Sequence, residues 1–193
     1  GKLAAELTRR LSSNGLSVAS LPITADSDTA VAVFEKFASA ECPLSVLIAD
    51  EAVTATDETY LPQALTVHRV LQAWLSRLPE DQLVRGTLVG LTNVGSDFGW
   101  TSPVLHPASG GIAGLCKALQ REFTALRVLV LDAPVGEPAQ LVATALQREL
   151  DAETHDLEVS WIRQRRRAVR IVERRPRPLA EAAPRRGGSW IVT

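Results

Sequence analysis

Three stretches limit what this chain can fold into more than anything else in it. PLSVLIAD (Pro43–Asp50), the run Thr87–Leu91 and LRVLVLDAP (Leu126–Pro134) are apolar almost without a break. A strand with one wet face alternates polar and apolar residues, whereas one that is apolar throughout is covered on both faces, as in a parallel sheet between helices. The segments between them have helical period. Gln63–Leu78 sets Val67, Val70, Leu71, Trp74 and Leu78 on one stripe, and the segment opened by Pro107 does the same with Ile112, Leu115, Leu119 and Phe123. Glu137–Leu150 turns Leu141, Val142, Ala145 and Leu146 inward. Upstream, GKLAAELTRRLSSNG is an amphipathic helix stopped at Asn14-Gly15, Leu16–Pro22 a short strand, and Asp28–Ala40 a helix carrying Val31, Phe34 and Phe37. Strands alternating with helices predict an α/β fold: a doubly wound parallel sheet with helices on both faces.

The 193 residues suffice for one well-packed domain and a tail. No apolar run reaches membrane-spanning length and no basic, then apolar, leader opens the chain, so membrane insertion and secretion are not indicated and a cytoplasmic location is expected. Cys42 and Cys116 form no metal or redox spacing and read as small core residues. His68, His106 and His155 are too scattered for a metal site.

After the last helix the pattern changes. Glu158–Ile162 and Ala168–Val172 alternate, with Val159 and Trp161 facing one way, Val169 and Ile171 answering, and Arg163–Arg167 as the turn of a half-buried hairpin. Arg174–Gly188 reads as a linker and SWIVT as a further strand. The net charge of −1 hides an asymmetry: from Trp161 onward ten arginines face two glutamates, giving +8, and the residues before carry −9. Arginines with Trp161 and Trp190 could follow a nucleic-acid backbone, but they fall at a turn and among prolines, so a solvated turn or ion pairs to the acidic body is the preferred reading.

In this order the elements resemble the non-catalytic half of the ketoreductase region of a type I polyketide synthase or polyunsaturated fatty acid synthase, a short-chain dehydrogenase/reductase-like family. The resemblance is carried by HPASGGIAGLCKALQREF (His106–Phe123), LRVLVLDAP, EVSWIRQRRRAVRIVE (Glu158–Glu173) and GGSWIVT (Gly187–Thr193). It implies a truncated, Rossmann-like subdomain over residues 1–156, a β-hairpin at 157–173, an Arg/Pro-rich linker at 174–188, and at 189–193 the first strand of a catalytic subdomain. It also implies a strand and glycine-rich turn ahead of the first helix, with Gly1 as the last glycine of that turn.

The family's chemistry is done by a serine, a tyrosine and a lysine. Aligned through Gly114–Glu122, the tyrosine position falls on Leu105, the lysine position on Ser109, and the serine position on Thr92 or Asn93. Neither Leu105 nor Ser109 titrates near neutral pH, so neither serves as a proton-transfer group. The resemblance therefore implies a segment with no catalytic residues that supports a neighbour reducing a β-ketoacyl group with NADPH. The implied partners are that catalytic subdomain of the same polypeptide, meeting Trp161, Val169, Ile171 and Trp190, with an acyl carrier protein as a further candidate.

No cofactor is expected in this segment itself. Only Gly1-Lys2 precedes the first helix where a pyrophosphate needs a glycine turn. The second strand ends Ser20-Leu21-Pro22, without an acid or base for a ribose, and Ala49-Asp50-Glu51-Ala52 sets two carboxylates where an anionic cofactor would lie. Asp50 and Glu51 otherwise read as a solvated loop or helix cap, and Tyr60, without a lysine four residues on, as packing. Two rival readings stay open: a divergent reductase that itself binds NADPH, and a docking module whose Arg165–Arg167 meet an acidic carrier protein.

Overall fold

The computed structural model describes residues 2–15, 18, 20, 27–38, 46–49, 57–77, 86–101, 103–104, 106–134, 136–152, 154–170 and 172–173, with backbone alone over 36–38, 46–49 and 57–62. Helices α1 (Lys2–Ser13) and α2 (Ser27–Ala38) precede strand β1 (Val46–Ala49). Helix α3 (Asp57–Leu75), β2 (Thr87–Thr92), α4 (Gly110–Glu122) and β3 (Arg127–Asp132) follow, and then α5 (Ala139–Asp151), β4 (Glu158–Ile162) and β5 (Arg165–Ala168). The strands lie side by side in chain order, β1 to β4 parallel and β5 antiparallel to β4.

The apolar runs become doubly covered strands, as their composition requires. Because side chains alternate along a strand, Leu88, Val128 and Val130 point to one face and Val89, Leu91, Leu129, Leu131 and Val159 to the other. The first face is covered by α2, α3 and α4 through Phe34, Val70, Leu71, Trp74, Ile112 and Cys116. The second is covered by α1 and α5 through Leu3, Leu7, Val142, Ala143 and Leu146. Burying each such large side chain contributes about 1.5–3 kcal/mol, so both layers are needed to hold the sheet. Helix α4 lies so close on β2 that a Cβ at Gly90 would come within 2.9 Å of Cys116 Sγ. Burial pushes the Cys116 thiol up to about 12, consistent with its reading as a core residue.

Local chemistry sets the element ends. Pro107 opens a single 3-10 turn, Pro107–Ser109, that leads into α4. The C-terminus of α5 is closed from the strand it packs on: Arg127, at the start of β3, donates to the carbonyls of Leu150 and Ala152, both at 2.9 Å, and of Glu149. A cation at this end also opposes the helix dipole. Helix α1 is tied to α5 by Arg10, which donates to Thr144 Oγ1 at 2.7 Å and to the Gln140 carbonyl at 3.1 Å.

The structure departs from the sequence expectations in four places. Helix α3 begins at Asp57 rather than near Gln63, so Tyr60 lies within it. Leu141 is exposed, because the inward stripe of α5 runs through Val142, Ala145 and Leu146. The hairpin turn is two residues, Arg163 and Gln164, with φ of 49° and 61°. Two successive left-handed residues are the turn that matches the twist of paired strands, so Arg165–Arg167 belong to β5 and not to the turn. The register then pairs Trp161 with Arg166 and Val159 with Ala168. Val169 falls opposite Glu158, on the other face from Trp161, and does not answer it. The expected strand Leu16–Pro22, Leu78, Leu105, Ile171, the linker and SWIVT lie wholly or largely outside the described residues.

Candidate functional site

In a parallel sheet the carboxyl ends of the strands are where ligands gather, and here that end carries a polar row. The pairing sets Thr92 beside Asp132, Asp132 beside Ser160, and Ser160 beside Arg167, all on one face. Thr92, Asp132 and Ser160 are 1%, 0% and 2% exposed. Asp132 organises the row and the loop above it. Its Oδ1 accepts from the Thr92 hydroxyl and the Val94 N–H, and its Oδ2 from the Phe98 N–H, each at 2.8 Å.

The loop bonded to Asp132 has an uncommon backbone. Ser96 and Phe98 take φ of 74° and 57°, which cost L-residues about 1–3 kcal/mol each. Gly95 has no room for a Cβ, which would lie 2.8 Å from the Pro103 carbonyl oxygen. Hydrogen bonds to a charged group, worth about 1.5–3 kcal/mol each, offset such strain. A second carboxylate, Asp97, is 5% exposed and accepts from the Thr101 N–H at 3.0 Å and from the Thr101 hydroxyl. Arg167 reaches Asp97 at 3.7 Å, tying the hairpin to this loop.

The positions singled out from the sequence can now be placed. Thr92 and Asn93 stand at the end of β2 and Ser109 at the entry to α4. They meet: the Asn93 N–H donates to Ser109 Oγ at 3.4 Å, and the Ser109 hydroxyl donates to the His106 carbonyl at 2.8 Å. Both hydroxyls at the aligned positions are therefore spent on structural bonds, Thr92 on Asp132 and Ser109 on His106. Asn93 Oδ1 is buried and meets no hydrogen-bond donor among the described residues. Leu105, Ile171 and Trp190 are outside the described residues. Trp161 and Val169 are half-buried on opposite faces of the hairpin.

Trp161 belongs to a second polar cluster, on the α5 face. Glu149, 1% exposed, accepts from Trp161 Nε1 at 2.8 Å and from Arg166 through Nε at 2.7 Å and a second nitrogen at 3.0 Å. Arg166 also donates to Asp156 at 2.8 Å, and Arg170 to the other oxygen of Asp156. Arg148 lies 5.4 Å from the centre of the Trp161 ring. Hydrogen bonds from Arg170, then Arg166, hold the Asp156 carboxyl below the usual range. Glu149 raises the Arg166 pKa further.

Sequence reasoning passed over Asp132 and Glu149. A charge ending the apolar run LRVLVLD, and a charge seven residues after Val142 on the buried stripe of α5, were the available signals. Among the described residues no group of three His, Cys, Asp or Glu side chains could hold a metal, and no helix is long and apolar enough to cross a membrane.

This architecture is a Rossmann-like α/β fold. A solved alcohol dehydrogenase from the archaeon Thermococcus sibiricus, complexed with 5-hydroxy-NADP, shares it with a TM-score of 0.54. The match covers 89% of this chain and 82% of the dehydrogenase at 16% identity, a likeness of fold. No protein-family model and no curated protein matches the chain.

Proposed function

We propose that this chain is a non-catalytic subdomain that supports an NADPH-dependent β-ketoacyl reductase within a polyketide or polyunsaturated fatty acid synthase. The observation that carries the reading is the fate of the two hydroxyls at the aligned catalytic positions. Thr92 is bonded to Asp132 and Ser109 to the His106 carbonyl, so neither is presented to a substrate. Proton transfer needs a group poised to titrate near the working pH. The described residues at this end offer a nicotinamide cofactor a poor fit as well: two buried carboxylates, Asp132 beneath the loop and Asp97 within it, stand here, and the nearby hydroxyls are already committed. The partner in this reading is the catalytic subdomain of the same polypeptide, whose substrate would be carried on an acyl carrier protein.

A second reading, a divergent reductase that binds NADPH itself, is favoured by the fold shared with a dehydrogenase complexed with an NADP derivative. Titrating the chain with NADPH, followed by tryptophan fluorescence, separates the two. The supporting-subdomain reading expects no saturable change up to millimolar cofactor in a sample with a folded circular dichroism spectrum. Saturation in the micromolar range would replace it with the reductase reading.

A further inference from the structure

Between α5 and the hairpin, on the face of the sheet that α5 covers, the molecule keeps a cavity of about 40 Å³ partly open to solvent. Buried apolar groups line it: Leu131 and Ala133 from the end of β3, Val142 and Ala145 from α5. Leu141, which the apolar stripe of α5 leaves 37% exposed, is a further wall, as is the Trp161 ring. The polar lining is Asp132, Glu137, Thr144, Arg148 and Gln164. Such a combination, apolar walls with a few polar groups, is how small-molecule sites are built.

Most of the polar lining is already committed. Asp132 is filled by Thr92, Val94 and Phe98, and Thr144 accepts from Arg10 and donates to the Gln140 carbonyl. Arg148 and Gln164 differ. The Arg148 guanidinium lies 5.4 Å from the centre of the Trp161 ring and, among the described residues, meets no carboxylate. The Gln164 amide forms no hydrogen bond among the described residues, although its φ of 61° is one that glycine would adopt without strain. A strained residue with its side chain at a cavity is a pattern of function, since stability alone favours the unstrained choice.

The lining also selects the ligand. Apolar walls disfavour a wholly polar ion such as phosphate, and the guanidinium repels a cation. A planar guanidinium beside an apolar space suits a carboxylate carrying a hydrocarbon tail. The space would hold about three waters, hence a tail of about three carbons. Glu137 lies about three turns of α5 away from Arg148, toward the start of the helix, so an anion is seated at the Arg148 end.

We propose that this cavity binds a short-chain aliphatic carboxylate, its tail among Leu131, Ala133, Val142 and Ala145 and its carboxylate held by Arg148 and the Gln164 amide. This inference does not depend on the ketoreductase reading.

The test is titration of the isotope-labelled chain with butyrate, followed by magnetic resonance at the indole N–H of Trp161, whose ring lines the cavity. Saturation with a Kd of about 1–10 mM is expected for so small a ligand. Butyramide should bind at least about fivefold more weakly, and butylamine should give no saturable shift. Arg148→Gln should weaken butyrate at least about tenfold and leave butyramide unchanged, with Arg148→Lys intermediate. Gln164→Gly should weaken butyrate about threefold while raising the unfolding midpoint. Both side chains are exposed, so these variants should fold as the wild type does. No saturable shift up to about 50 mM butyrate, an equal response to butylamine, or binding that Arg148→Gln or Gln164→Gly leaves unchanged overturns the proposal.

Discussion

The loop after β2 and the β4–β5 hairpin are each held by one buried carboxylate, and the two do different work. Asp132 is filled by two backbone N–H groups and the hydroxyl of its cross-strand neighbour, so it dictates a local backbone path through a strained region. Glu149 is filled by side chains alone, an indole and a guanidinium from the hairpin, so it decides where a distant element docks. The first arrangement has no apolar substitute, because the backbone donors remain whatever residue replaces Asp132. The second has one in principle, since removing both charged partners orphans only the indole N–H and one oxygen of Asp156, whose other oxygen keeps Arg170.

The sharpest way to break that contrast is to remove the first carboxylate. Asp132→Ala strands three donors in the interior and should lower stability by about 3–5 kcal/mol, read from the urea midpoint. A loss under about 1 kcal/mol would show that the loop holds its path without Asp132.

Removing the second carboxylate should cost less, because Arg166 is 29% exposed and recovers some water. Glu149→Ala is expected to lose about 2–3 kcal/mol. The double change Glu149→Leu/Arg166→Met should regain at least half of that loss, whereas no second substitution should rescue Asp132→Ala. A double-mutant cycle on Glu149 and Arg166 measures the coupling directly.

Acid provides a gentler probe of the hairpin side. A carboxyl whose folded pKa is depressed adds stability that is complete above its unfolded value, about 4, and is lost as pH falls through the folded value. Asp156 is such a group, through Arg170 and then Arg166. Between about pH 6 and pH 3 the wild type should therefore lose more stability than Asp156→Asn, the two midpoints converging at the acid end. Parallel losses would remove Asp156 from the latch. Glu6 on α1, held down to about 2 by Arg9 and then Arg10, adds an acid loss common to both proteins.

The smallest effect expected is a gain. Gln164 adopts φ of 61° in the two-residue turn, a conformation that glycine takes without the steric cost of a Cβ. Gln164→Gly should raise stability by about 0.5–1 kcal/mol. A loss instead would mean that the Gln164 side chain contributes to the hairpin more than its backbone costs.

Much of the fold could be read from the chain because it follows from short-range regularities. Unbroken apolar runs define strands covered on both faces, and Val67, Val70, Leu71 and Trp74 define the stripe that α3 buries. Leu141 was misplaced by that method, since neighbouring residues on a helix differ by a third of a turn and the stripe's edge depends on the packing partner. The hairpin was recognised but misregistered: RQRRRA has no glycine or asparagine to mark a two-residue turn, and a slip in the pairing sends Val169 to the opposite face.

What the sequence determined by itself is the layered α/β architecture and the covering of its strands on both faces. Those are matters of residue identity and of periods of two and 3.6. Tertiary structure alone decided that the Ser109 hydroxyl would meet Asn93, that Asp132 would draw the loop onto the sheet, and that Glu149 would seize Trp161 and Arg166. These contacts join residues far apart in the chain. Each arises because a buried polar group must find a partner wherever the packed elements place one, and no local pattern records which partner that will be.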